Sequence, residues 1–196
     1  MNMNYWSRLA ITSVRKPADA AQTLLAMGFD SRTLWSALVL VAIGNTLLYS
    51  VSVALFPEPT PMSAMLNTPF VYFAIVAGGL TLTAVSITWV GNRMGGKGRL
   101  VDVLVLVVWM QVLRLVVQAV VLVLVFVMPA LSALLVLAAA LIGIYMLVHF
   151  IDQAHGFHST GRSAFVLIAS MLAIVVGLSL ILSLFGGFAT GMMPNV

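Results

Sequence analysis

The chain has 196 residues, 62% of them hydrophobic and only 7% charged, with a mean hydropathy of +1.15 and a formal net charge of +4. Soluble domains carry roughly 25% charge and 45–50% apolar residues, so no water-facing fold hides this composition and the solvent must be lipid. Nine Lys and Arg scattered over short segments form no basic face for nucleic acid, and the lack of cysteine excludes disulfides, Cys-ligated zinc, iron–sulfur clusters and thiol nucleophiles.

Residues 1–33 read as a cytoplasmic leader. A secretory signal needs a short apolar core near the start, whereas the first apolar run begins near Leu34 and is long enough to span, so it reads as a retained helix. Within the leader, Pro17 suits a first helical turn. Ala21, Leu24, Leu25 and Gly28 fall on one side, with Asp19, Gln22 and Thr23 turned away. This pattern predicts an amphipathic helix lying at the membrane interface, with packing on the cytoplasmic loops as the alternative.

A spanning helix needs about 20 mostly apolar residues, and the membrane domain, 34–185, offers runs at 34–55, 70–91, 101–127, 131–151 and 164–185. Asp30 or Ser31 is placed to cap the first, and Thr68 with Pro69 to open the second. Trp35 and Trp89 fall near span ends, where aromatic belts form. From Leu100 to Ile151 only Met128-Pro129 breaks the apolar run, and proline does not continue a helix, so a tight hairpin belongs there. Residues 186–196 form a short tail. The expected fold class is all-α: a polytopic bundle of five transmembrane helices, read as one domain.

Basic residues fix an orientation. Arg8, Arg15, Lys16 and Arg32 precede the first span, Arg93, Lys97 and Arg99 separate the second from the third, and Arg162 separates the fourth from the fifth. The Pro-rich loop from Phe56 to Pro61, the Met128-Pro129 turn and the tail after Gly186 hold no Lys or Arg. Cytoplasmic loops carry the positive charge, which predicts a cytoplasmic N-terminus and an outside C-terminus.

Small residues at alternating steps of four and three predict helix packing seams. Ala74, Gly78, Thr81, Val85 and Thr88 form one on the second span, Ser170, Ala173 and Gly177 another on the fifth, and Gly187 with Gly191 a small pair beyond. Polar groups inside the spans ask for more. Gln111, Arg114 and Gln118 share a face of the third span, with Arg114 near its middle. A central charge costs about 2.5–3.5 kcal/mol on insertion scales, so such residues face a bundle interior, a cavity or a partner. Asn45 on the first span is a candidate partner for Arg114, and no carboxylate lies at matching depth, since Asp102 and Asp152 sit at span ends. Contact with neighbouring polar groups, another subunit, lipid phosphate or an anionic ligand all remain open.

His149, Asp152, His155 and His158 follow at steps of three at the end of the fourth span. These are proper metal ligands, yet steps of three drift by about 60° each on a helix, so they converge only if the backbone bends, as Gly156 permits. A solvated interfacial loop is the expected reading, with no metal or cofactor. Intramembrane enzymes need a serine with a histidine on another span, an aspartate pair within spans, or a histidine–glutamate zinc helix. None is present, so no catalytic residue is assigned. The Gly95-Gly96-Lys97-Gly98 loop follows no strand and lacks phosphate-loop spacing, leaving a flexible connection or a contact for anionic lipid.

The Pro-led leader helix (Pro17 to Gly28, PADAAQTLLAMG), five spans, a GGKG loop before the third and a tight hairpin after it resemble the Yip domain family, the Rab-interacting type, and in particular its small bacterial inner-membrane members. Gly95 to Leu104 (GGKGRLVDVL) is the most specific part. The resemblance implies a compact helical bundle with a cytosolic N-terminus, in a family whose eukaryotic members bind small GTPases and one another. Many members carry a proline where Leu113-Arg114 stands here, so neither that kink nor any functional residue transfers. The expected function is a non-enzymatic scaffold or accessory subunit, in contact with the lipid bilayer, that binds other membrane proteins or itself. A small transporter or channel with an anion-attracting site at Arg114 is the second reading.

Overall fold

The computed structural model describes residues 3–57 and 68–190, and all regular structure among them is helical. The helices are α1 (Met3–Arg15), α2 (Pro17–Ala26), α3 (Ser31–Leu55), α4 (Pro69–Arg93), α5 (Leu100–Val127), α6 (Pro129–His155) and α7 (Thr160–Thr190). Five of them, α3 to α7, are long and apolar enough to cross a membrane. The Pro-rich loop from Glu58 onward and Gly191 lie outside the described residues, while 186–190, expected as tail, continue α7.

Local chemistry sets the boundaries. Met128 alone separates α5 from α6, and Pro129, which lacks an N–H to satisfy, occupies the first turn of α6. Pro69 does the same for α4, where the Thr68 carbonyl accepts the Val71 and Tyr72 N–H groups. Asp30 stands at the N-cap of α3, but its carboxylate accepts the Thr33 hydroxyl rather than a backbone N–H, and this holds its carboxyl below the usual range. Asp102 Oδ2 accepts the Arg99 N–H at 3.1 Å and so tightens the start of α5.

The packing is one-sided along the bundle axis. Buried residues cluster at the end that carries the Arg93–Arg99 and Arg162 connections: Leu34 to Asn45 on α3, Ala84 to Gly91 on α4, Val103 to Trp109 on α5, Met146 to His155 on α6, and Ser163 to Ser170 on α7. Towards Met128 the same helices expose Val116, Val120 and Val123 on α5 and Leu134, Leu137 and Leu141 on α6. There the stack of Tyr49 on Tyr72 (3.8 Å) and the contact of Phe56 with Phe126 (5.2 Å) bridge the helices. The bundle is closed at its basic end and open at the other.

The leader corrects one expectation. The side of α2 read as apolar is buried at Ala21 and Leu24, with Leu25 half-buried and Gly28 exposed, and Asp19, Gln22 and Thr23 face outward. That buried side is covered by α6, by the preceding helix and by α5. Ala20 and Ala21 are fully enclosed, in keeping with the alternative of packing on the bundle. An unforeseen helix, α1, precedes it. Trp109 Nε1 donates to Ser13 Oγ at 2.8 Å while the Ser13 hydroxyl donates to the Leu9 carbonyl, and the Trp6 ring lies 5.6 Å from that of Trp109.

Because Ala20 has no free space, Ala20→Leu should lift α2 from the bundle at a cost of about 1–3 kcal/mol. Trypsin cleavage after Arg15 should quicken in detergent-solubilised protein, while Ala26→Leu, at an exposed position, should leave the cleavage rate unchanged.

Candidate functional site

Two places gather the polar residues of this apolar chain. The first is the last turn of α6. Its four metal-capable residues do not meet, because each is occupied separately. His149 Nδ1 donates to the Tyr145 carbonyl at 2.8 Å, and His158, exposed, sits at a positive φ of 51° in the following turn. Asp152 is buried, and its Oδ1 accepts the Ser159 N–H at 2.8 Å and the Ser163 hydroxyl at 3.2 Å. Those donors belong to the start of α7, where backbone N–H groups favour a negative charge. Gln153 Nε2 donates to Asp152 Oδ2 at 3.3 Å, and Gln22 on α2 donates to Gln153 Oε1 at 2.9 Å. Asp152 is therefore an organiser of the turn. Among the described residues no group of three or more His, Asp or Glu is placed to hold a metal.

His155 is 2% exposed, and its Nδ1 donates to the Ile151 carbonyl at 3.1 Å. In the neutral ring Nε2 then carries the lone pair, and it has no hydrogen-bond partner among the described residues. Three glycines surround the side chain. A Cβ on Gly91 would stand 2.2 Å from Nε2, one on Gly98 2.7 Å from Cδ2, and one on Gly96 2.8 Å from the histidine Cβ. The Lys97 N–H, between two of them, donates to the His155 carbonyl at 3.1 Å, and Phe157 stacks on the ring at 5.3 Å. Gly96 and Gly98 of the GGKG loop are thus required by close packing on one histidine, which their spacing alone did not reveal, whereas Gly95 has open space and a positive φ of 88°.

The second place is an open groove of about 890 Å³ beside α5 and α6, walled on one side by α1. Gln111, Arg114 and Gln118 line it from α5, Ala138, Ala139 and Gly143 from α6, and Val14 and Arg15 from α1. Arg114 is exposed, and among the described residues no carboxylate forms an ion pair with it. Asn45 does not serve as its partner. It is buried and donates to the Val41 carbonyl of its own helix at 2.8 Å.

The α4 seam also lies elsewhere than expected. Ala74, Gly78 and Val85 are exposed, and Gly78 has nothing within 4 Å of its would-be Cβ. Thr81 and Thr88 return their hydroxyls to the Ala77 and Ala84 carbonyls, both at 2.8 Å. The buried side of α4 is Ala84, Ile87, Val90 and Gly91. On α7, Ser170 is buried and Ala173 exposed. Near the basic end, Arg93 stacks over the exposed Trp89 ring at 5.1 Å, in keeping with a belt position.

A family model described as Yip1 domain matches residues 11–182, a stretch that holds the glycine cradle, the Asp152 turn and the α5 stripe. No curated protein and no solved structure matches the chain.

The cradle separates two kinds of clash. A Cβ on Gly91 meets only the imidazole ring as nearest neighbours, whereas one on Gly96 or Gly98 also meets a backbone carbonyl oxygen at 2.9 Å. Gly91→Ala should therefore destabilise by about 1–3 kcal/mol, and His155→Ala should recover much of that loss in the double variant. Gly98→Ala should stay unstable with or without His155. Thermal unfolding in detergent micelles across the double-mutant cycles checks both.

Proposed function

The chain belongs to the Yip1 domain family, and on that premise we propose that it is a non-enzymatic scaffold or accessory subunit binding another membrane protein along the open side of its bundle. The family is not an enzyme family, and among the described residues the polar groups of the last turn of α6 serve capping and close packing. The resemblance to the family's small bacterial members implies the inner membrane, and the charge bias of the loops supports an orientation with the N-terminus and the basic end in the cytoplasm and the C-terminus outside. Within this reading, residues 1–33 are a docked leader, 34–185 the membrane domain and 186–196 a short outer extension.

The observation that carries the proposal is Arg114 in its groove. Arg114 lies at the middle of a spanning helix, exposed, among the mostly small and apolar residues that line the groove, with the stacked Tyr72 of α4 as a polar neighbour. Lipid tails offer such a charge nothing, at a cost of about 2.5–3.5 kcal/mol. A protein surface that covers the groove removes that cost and gives the open half of the bundle the helix contacts it lacks. The second reading, an anion-attracting transport site, is favoured by the groove's size and its stripe of Gln111, Arg114 and Gln118.

A photo-crosslinking residue at Val117, which lines the groove, should give a discrete protein adduct in native membranes, and one at Val123, outside it, should not. Arg114→Leu should cut the Val117 adduct about fivefold or more, as expected from losing a polar interhelical contact of about 1 kcal/mol or more. If Val117 yields no adduct while Arg114-dependent anion flux appears in proteoliposomes, the transport reading replaces the scaffold.

A further inference from the structure

We infer that the occupant of the α5–α6 groove is a transmembrane helix of a different protein carrying an aspartate or glutamate at mid-bilayer depth, an inference that rests on the scaffold reading above. Depth is the first argument. The 28 residues of α5 extend about 42 Å at 1.5 Å per residue, and Arg114 stands near the midpoint, about 20 Å from either end. With a hydrocarbon core of about 30 Å, mid-depth is about 15 Å from either headgroup region, so a phospholipid headgroup meets Arg114 only by thinning the bilayer, a deformation that a helix carrying its acid at that depth avoids. A fatty-acid carboxylate also prefers the surface. A negative charge is held at mid-depth by a helix that carries it there.

The chain's own carboxylates exclude a second copy as the source. Its acidic residues are Asp19, Asp30, Glu58, Asp102 and Asp152. Asp19 and Asp30 belong to the leader and the start of α3, Asp102 is the third residue of α5, and Asp152 lies in the last turn of α6. Glu58 follows the end of α3 in sequence. Two copies side by side, parallel or antiparallel, bring these groups to the membrane surfaces and not to the level of Arg114.

The groove fits a helix. Ala138, Ala139 and Gly143 let a backbone come close, and a Cβ on Gly143 would only just touch the Met110 methyl at 3.9 Å. Gln111 and Gln118 stand about one turn to either side of Arg114, placed to meet further polar groups along the same visitor. A guanidinium donates two parallel N–H bonds to a carboxylate, and in lipid each charge is costly without the other. The pair therefore selects a partner by the presence and depth of one acid.

The test uses full-length protein in phosphatidylcholine vesicles and synthetic leucine–alanine helices of about 23 residues, long enough to span, with lysine flanks. Binding is read by energy transfer between labels. A probe with glutamate at its centre should bind about tenfold more tightly than one with glutamine, a difference of about 1.4 kcal/mol. Arg114→Leu should abolish the preference, and Arg114→Glu should reverse it towards a lysine-centred probe, which also shows that the variant is folded. Equal binding of the glutamate and glutamine probes overturns the inference. Arg114-dependent binding of oleate without any probe preference overturns it in favour of an anionic lipid. If the Val117 adduct forms in native membranes while the probes show no preference, the inference fails and the scaffold reading stands. If neither appears, both fail.

Discussion

The close approach of the Arg93–Arg99 connection to the last turn of α6 is the constraint on which the closed end of the bundle depends. His155 fills a space bounded by Gly91, Gly96 and Gly98, so α4, the loop and the start of α5 all approach α6 at backbone distance. The Lys97 N–H on the His155 carbonyl fixes the register of that approach. One turn earlier Asp152 gathers the first N–H and hydroxyl groups of α7, and Gln153 beside it meets Gln22 of the leader. The leader helix α2, the end of α4, the loop after it and the start of α7 are thereby tied to residues 152–157. The unpartnered Nε2 is part of the cost of so dry a contact, since a buried acceptor without a donor is unfavourable by about 1–3 kcal/mol.

This arrangement follows from what lipid withholds. Helices in a bilayer gain nothing by hiding leucine from tails that are equally apolar, so they associate where small residues permit contact or polar groups find partners. At the basic end both find their partners, in Ala20, Ala21, Ala84, Gly91 and Gly98 and in the Asp152 network. Towards Met128 the sequence offers valine, leucine and phenylalanine, which face outward at Val120, Val123 and Phe126. The small residues of this half, Ala138, Ala139 and Gly143, line the groove, and Ala74 and Gly78 are exposed, so they meet no helix among the described residues. The open half leaves the one mid-span charge of the chain uncovered.

The fold was largely legible because span length and hydropathy are properties of contiguous sequence. Pro129 announced the hairpin and Pro69 the start of α4, each through a missing N–H that only a first turn tolerates. The site was legible only in part, since it depends on contacts between distant segments. Steps of three along His149, Asp152, His155 and His158 resembled a ligand set, yet each residue answers to a different neighbour. The glycines of the GGKG loop resembled flexibility, and the histidine that requires two of them, Gly96 and Gly98, lies some sixty residues away. The small residues Ala74 and Gly78 formed a regular stripe, but periodicity records a face and not what covers it. α1 went unseen because its pattern mixes Tyr5, Ile11 and Val14, exposed, with a buried Ser13 that Trp109 satisfies.

The same contacts join the closed end to the groove. One wall of the groove is α1, through Val14 and Arg15, and α1 is held by Trp109 and by its packing on α2. α2 is held in turn by the enclosed Ala20 and Ala21 and by Gln22 on Gln153. The shape presented around Arg114 is therefore set at the opposite end of a chain of packed elements, which begins at the glycine cradle. A leader undocked from α6 would remove that wall and leave Arg114 on a flat face of α5 and α6. The groove is thus a property of the assembled leader and bundle together, and a stripe of three polar residues on a single helix does not by itself contain it.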